Sequence, residues 1–252
     1  MRGLTKTNRF EANIMIEPVG DAAIVIRFGS EIEYRTHRKV QMLSNYLTQN
    51  SFNGFIECIP SYTGVTVFYD PLLVEKSHAY KAGQIFSPYK IVRSIIEDLL
   101  ANLKGEETEA HRIVEIPVCY GGECGPDLEF VAKQNNLTTD EVISLHSGGE
   151  YLVYMLGFAP GFPFLGGMSE KIATPRRSTP RTSIPAGSVG IAGKQTGVYP
   201  ISTPGGWQLI GQTPLRLFLS EKEPPSLLQA GDVVKFYPIS YKDFLEWKEE
   251  SE

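Results

Sequence analysis

The chain is short of cysteine, with only Cys58, Cys119 and Cys124 among 252 residues. An odd, small number excludes a disulfide framework as the support of the fold and fits a reduced compartment, so a cytoplasmic protein is expected. Cys119 and Cys124 have no second ligand pair, and His111 and His146 stand without metal-site spacing, so no metal is expected. No run reaches the ~18 apolar residues of a membrane span. The first 17 residues mix Arg2, Lys6, Arg9 and Glu11 with polar residues and hold no secretory h-region. Excess positive charge is also missing: 24 Lys and Arg face 29 Asp and Glu, for a net −5. A nucleic-acid coat needs a positive face, so neither nucleic acid nor membrane is an expected partner. There is no Gly-x-Ser-x-Gly elbow and no cysteine with an activating neighbour. The chain therefore lacks self-sufficient hydrolase machinery.

What is present is an ordinary globular composition, 42% hydrophobic and 21% charged, in a length suited to one large or two small domains. Residues 14–28 alternate as strand, Gly20-Asp21 turn and strand. A helix is expected from Glu31 to Gln49, with Ile32, Val40, Leu43 and Leu47 near one face. Short strands follow at Phe55–Ile59 and Val65–Tyr69 around a turn at 60–64. Pro88 opens a second helix with Ile91, Ile95 and Leu99 in register, and His111–Val118 is a strand. This strand–helix–strand–strand–helix–strand order is the split βαβ, ferredoxin-like pattern of an α+β domain. Lys104 to Ala110 carries no apolar anchor and is the expected linker, placing one domain at 1–104 and a second at 105–252. In the second, helices are expected at Pro126–Asn135 and Thr138–His146, the latter with a Thr138–Glu141 capping box. From Tyr151 onward, short apolar pieces at 151–158, 188–192, 207–210, 215–219 and 233–237 alternate with Gly and Pro. That rhythm argues for a barrel or sandwich.

The shortage of acid is concentrated in one place. Residues 171–220 contain no Asp or Glu, but do contain Lys171, Arg176, Arg177, Arg181, Lys194 and Arg216. That island is +6, so the remainder of the chain is −11. Ten of the 17 prolines fall between Pro160 and Pro225, and 13 of the 24 glycines between Gly148 and Gly211. A rigid cationic segment whose counter-charges are absent suits an anion, with Arg176 or Arg181 as the clamp. The competing reading is a barrel rim whose charge sign is incidental. Gly157–Gly166 holds Phe158, Pro160, Phe162 and Phe164 as a preset apolar wall, or as core filling on a rigid turn. Gly187–Thr196 fails as a P-loop on register, yet its backbone N–H groups with Lys194 suit an anion. His146 is the nearby imidazole, either a proton shuttle or a helix-end histidine favoured by the dipole.

Tyr154-Met-Leu-Gly-Phe-Ala-Pro-Gly-Phe-Pro-Phe-Leu-Gly166 strongly resembles the KipI/PxpB family, also called allophanate hydrolase subunit 1. The likeness continues through Thr174-Pro-Arg-Arg-Ser-Thr-Pro-Arg-Thr-Ser-Ile-Pro-Ala-Gly-Ser-Val-Gly190, Gln195-Thr-Gly-Val-Tyr-Pro200 and Thr203-Pro-Gly-Gly-Trp-Gln-Leu-Ile-Gly211. Ala230-Gly-Asp-Val-Val-Lys-Phe236 fits the closing strand. Phe164 stands where many members carry Tyr. The resemblance implies a small N-terminal α/β domain and a cyclophilin-like β-barrel. It implies the B component of a bacterial 5-oxoprolinase, which opens 5-oxoproline to glutamate with ATP hydrolysis. The implied partners are the A component and the KipA-like C component of that enzyme. The chain is then inactive alone. Catalytic roles are expected of His146, Arg176 and Arg181. Substrate contact is expected of Phe158, Pro160, Phe162, Phe164, Gln195 and Tyr199, and close approach of ATP of Lys194, Gly205, Gly206 and Trp207.

Two other roles follow from the same resemblance: a part of urea amidolyase acting on allophanate, and an inhibitor that binds a sporulation sensor histidine kinase. In the latter the 158–164 wall would be a recognition surface. Prolyl isomerisation rests on fold analogy alone.

Overall fold

The computed structural model describes residues 14–31, 33–77, 87–102 and 112–250. Ile32, Leu103, the expected linker at 104–110 and His111 lie outside the described residues, as does most of the N-terminal segment read for a leader. The chain divides into two compact units, one ending at Glu109 and the other beginning at Ala110.

In the first unit, β1 (Met15–Pro18) and β2 (Ala23–Arg27) form an antiparallel hairpin. α1 (Tyr34–Gln49) buries Val40, Leu43 and Leu47, spaced i, i+3 and i+7 on one face. β3 (Phe55–Pro60) and β4 (Gly64–Tyr69) pair across a turn closed by Ser61 N–H to Gly64 O at 2.8 Å. α2 (Pro71–Ser77) has no counterpart among the expected elements; the Asp70 carboxylate caps it, accepting from Leu72 N–H at 2.8 Å and Leu73 N–H at 3.1 Å. α3 (Pro88–Asn102) begins at the expected proline and buries Val92, Ile96 and Leu100. The four strands lie in the order β1-β2-β4-β3, and Ile24, Ile26, Val65 and Val67 share one core with the faces of α1 and α3.

The second unit opens with β5 (Ile113–Tyr120). This is the strand expected at His111–Val118 to complete the N-terminal sheet, and the structure places it elsewhere. It runs parallel to β13 (Val233–Pro238) over six residue pairs and antiparallel to β12 (Gln208–Gln212). Ile116 and Val118 are fully buried in the barrel core, which accounts for the choice. In the N-terminal sheet β1 takes the edge beside β2, and among the described residues the strand–helix–strand–strand–helix run has no closing strand after α3.

The rest of the unit comprises α4 (Leu128–Gln134), α5 (Thr139–Ser147), β6 (Tyr151–Leu156), β7 (Pro163–Gly166), β8 (Arg181–Ile184), β9 (Ser188–Ala192), β10 (Gln195–Val198), β11 (Thr203–Gly205) and α6 (Tyr241–Glu250). Seven strands close a barrel in the order β10-β7-β6-β13-β5-β12-β9, with β9 returning to β10. The mixed α and β architecture with a closed barrel is thus as expected. The capping box forms: Glu141 N–H donates to the Thr138 hydroxyl, and the Glu141 carboxylate accepts from Thr138 N–H. β8 and β11 pair with each other as a separate ribbon. The segment 215–219 is no strand; it makes one bridge, Phe218 to Ser226, between Pro214 and the Pro224-Pro225 pair, which lack ladder donors.

Candidate functional site

Two parts of the poor-in-acid region, the stretch from Thr174 to Arg181 and the β11–β12 turn, meet the β6–β7 turn beside the barrel. The β6–β7 turn is held by Gly157 N–H to Phe162 O at 3.1 Å and Phe162 N–H to Ala159 O at 3.0 Å. Phe162 is buried at the centre of an aromatic cluster, edge-on to Phe164 (5.2 Å), Tyr199 (5.5 Å) and Trp207 (5.7 Å). Phe158 packs edge-on against Phe162 at 5.5 Å but is 70% exposed, and its backbone lies at φ +67°. A bulky side chain in the left-handed region is strained by about 1–2 kcal/mol, so the turn holds an aromatic ring outward against local preference. Pro160 is exposed beside it.

The stretch from Thr174 to Arg181 is anchored by a residue that the sequence reading missed. Asp127, between β5 and α4, has a side chain only 6% exposed. Its carboxylate accepts both Nη atoms of Arg181 at 2.8 Å, Arg177 Nη1 at 3.0 Å and the Leu209 N–H at 2.7 Å. Arg177 N–H also donates to Gly206 O at 2.7 Å, tying this stretch to the β11–β12 turn. The expectation that the arginines lack counter-charges is therefore corrected for Arg181. Its carboxylate partner comes from 54 residues away, outside the island, and the bidentate fork is used internally. Only tertiary contact reveals this; an Asp following Pro126 has no local signature.

Arg176 stands differently. It is exposed and forms no ion pair among the described residues. It acts electrostatically on Tyr199, whose hydroxyl is pushed up by burial and pulled back by a hydrogen bond with the Trp207 backbone and by the charges of Arg176 and Arg181. Arg176 is thus an outward cation whose charge reaches the hydroxyl of a buried member of the aromatic cluster. An exposed guanidinium without an internal ion pair can take a carboxylate through its fork.

A family model described as "Carboxyltransferase domain, subdomain C and D" matches residues 14–228. A Bacillus subtilis (strain 168) protein, named as the B component of 5-oxoprolinase, is 59% identical over 94% of this chain and 97% of its own length. The chain belongs to this carboxyltransferase subdomain family, in its KipI/PxpB group. A Haemophilus influenzae protein of the same name is 42% identical over 88% of this chain and 96% of that one. Among solved structures, a conserved uncharacterized protein from Pyrococcus horikoshii is 45% identical with a TM-score of 0.52, covering 91% of this chain and all of that one. The Kluyveromyces lactis urea amidolyase has a TM-score of 0.73 at 18% identity, covering 98% of this chain and 16% of that one. That last likeness is one of fold.

In this KipI/PxpB chain the remaining expected site residues fall into other surroundings. His146 is fully buried, stacked on Phe236 at 4.7 Å, with Nδ1 2.7 Å from the Tyr120 hydroxyl and Nε2 2.9 Å from Thr196 Oγ1. Thr196 donates its proton to Gly190 O at 3.0 Å, so it accepts from Nε2–H, and Tyr120 donates to Nδ1. Burial pushes the imidazole down to about 3. The expected proton shuttle is corrected: a neutral histidine with both nitrogens occupied in the barrel core has no contact with a surface ligand. Lys194 pairs with Glu170 at 2.7 Å, both well exposed, and Gln195 is half-buried on β10.

Gly205 and Trp207, expected to approach a nucleotide, instead serve packing. A Cβ on Gly205 would lie 2.5 Å from the Tyr199 hydroxyl and 2.7 Å from Ile184 Cδ1, and Trp207 is 7% exposed. Gly206 has ordinary space, its Cβ position 3.6 Å from Pro180. At Gly205 and Trp207 the protein's own side chains fill the space. Among the described residues, no group of three or more His, Cys, Asp or Glu is placed for a metal, and no helix is long and apolar enough to cross a membrane.

Proposed function

We propose that this chain is the B component of an ATP-dependent 5-oxoprolinase, acting in the cytoplasm with the A and C components and inactive without them. The observation that carries the reading is the 59% identity to a protein named as that component, over nearly the full length of both chains. In this reading the barrel is cyclophilin-like, the N-terminal unit is a split βαβ variant whose edge is supplied by β1, and the domain boundary is 104/105. Arg176 pairs with the carboxylate of 5-oxoproline through its guanidinium fork. Phe158 and Pro160 cover the lactam ring and exclude water, with Phe162, Phe164 and Tyr199 as the support beneath and Gln195 at the margin. Activation of the lactam carbonyl by ATP is the chemistry expected of the complex. None of the nucleotide is assigned to Lys194, Gly205, Gly206 or Trp207.

The test is ATP-dependent glutamate release from 5-oxoproline with the A and C components supplied. Release is expected only when this chain is present, and allophanate is not expected to be consumed in place of 5-oxoproline. Arg176→Ala should lower kcat/KM roughly 10- to 100-fold, the value of a charge-assisted hydrogen bond of about 1.5–3 kcal/mol, and Arg176→Lys less. Glutamate release without this chain would end the 5-oxoprolinase reading, and an unchanged Arg176→Ala would end the arginine's role.

A further inference from the structure

A cavity of about 610 Å³ lies in the barrel unit, lined by the turns after β8, β10 and β12 and by α6. It shares no lining residue with the aromatic cluster or with the Asp127 anchor. Its walls are rigid: Pro185, Pro200 and Pro214 each stand at a turn. Ile201, Phe218 and Phe244 supply apolar surface, with Ile201 37% exposed. The cavity's charges are Arg216 and Lys248, both exposed, and no lining residue is acidic. Neither cation forms an ion pair among the described residues, whereas Lys194, Arg177 and Arg181 do. The polar groups of the lining are already engaged: Gln212 Nε2 donates to Ala186 O at 2.7 Å and Thr213 Oγ1 accepts from Leu215 N–H at 3.2 Å. The volume falls within the roughly 300–1,000 Å³ of pockets that enclose ligands of drug size.

From these observations we infer that the cavity is a binding site for an organic anion with an apolar body, its anionic head between Arg216 and Lys248 and its body against Ile201, Phe218 and Phe244. The charge complementarity selects the head, since two cations with no carboxylate among their cavity neighbours repel cations and attract anions. The prolines and aromatics select the body, since a bare inorganic ion leaves the apolar wall wet. Phe244 and Lys248 lie on α6, beyond the segment 14–228 that the family model covers. The site is therefore built jointly from the shared barrel and a C-terminal helix outside the family match.

The experiment is a fluorescence titration of the full chain with 1-anilinonaphthalene-8-sulfonate at low salt, an anionic aromatic probe. Saturable binding to one site is expected. The uncharged N-phenyl-1-naphthylamine should bind at least tenfold more weakly. Competition by 4-phenylbutyrate should displace the probe, while inorganic phosphate at the same concentration should not. The double variant Arg216→Gln/Lys248→Gln should weaken the probe tenfold or more with an unchanged melting temperature, both side chains being exposed. Arg176→Ala should bind as the parent does. Equal binding by the double variant or by the uncharged probe would overturn the inference, as would displacement by phosphate or loss of binding in Arg176→Ala. Glutamate release is not read in this titration, so its outcome is separate from the oxoprolinase reading.

Discussion

Asp127 shows how much one carboxylate decides. Its two oxygens receive Arg177, Arg181 and the Leu209 N–H, and its own N–H donates to Leu209 O at 2.9 Å. It thereby holds the stretch that carries Arg176 against β12, leaving Arg176 as the outward member of the group. Removing the negative charge strands two guanidinium groups. A fully buried pair broken this way costs about 3–5 kcal/mol; the Arg177 and Arg181 side chains remain 36% and 22% exposed, so water recovers part of that. Asp127→Asn is expected to lose about 2–3 kcal/mol, read as a lower urea midpoint at constant m. A loss within experimental error would show that the carboxylate is not holding this stretch. Arg176 and Arg181 looked equivalent as cations in an island without acids. They differ because a carboxylate distant in sequence reaches one of them, and no local pattern encodes that reach.

At the scale of elements, the β6–β7 turn combines two opposed requirements. Gly161 takes φ +78° at no steric cost, while Phe158 takes φ +67° at some. The hydrogen bonds across Gly157, Ala159 and Phe162 over-determine the turn and keep the strained residue in place. Phe158→Gly removes both the strain and the outward ring. The variant is expected to be as stable as the parent or more so by up to about 1 kcal/mol, while glutamate release in the reconstituted complex falls. A variant that unfolds at lower temperature would contradict the strain argument. Elements with a strong local pattern were legible in advance: α1, α3, the α5 capping box, and β9 at Ser188–Ala192. Those without one were not. Among its described side chains α6 buries only Phe244, and β7 hides inside a Pro and Gly turn, so neither shows a clear period.

For the whole molecule, His146 joins four elements of the barrel unit: its own α5, Tyr120 on β5, Thr196 on β10 and Phe236 on β13. Its folded-state value lies near 3, below the ordinary 6.5 of an unfolded chain. Below pH 6.5 the unfolded chain therefore takes up a proton that the folded chain refuses, and stability falls as pH falls. The slope approaches about 1.4 kcal/mol per pH unit for one proton. Urea midpoints between about pH 7 and 5, above the carboxylate range, are expected to decline in the parent and less steeply in His146→Gln. Identical slopes in the two proteins would remove His146 as the cause.

The sequence by itself determined the family, the barrel rhythm of the second half, the cationic island and the helices with a continuous apolar face. These are written in neighbouring residues, where period, capping and turn chemistry act over a few positions. Tertiary structure alone decided that β5 closes the barrel and not the N-terminal sheet, that Asp127 occupies Arg177 and Arg181, and that His146 is buried and neutral. Each of these depends on partners tens of residues distant or more, where burial and charge pairing outweigh local preference. Arg216 and Lys248, 32 positions apart, become a pair only because α6 returns to the barrel.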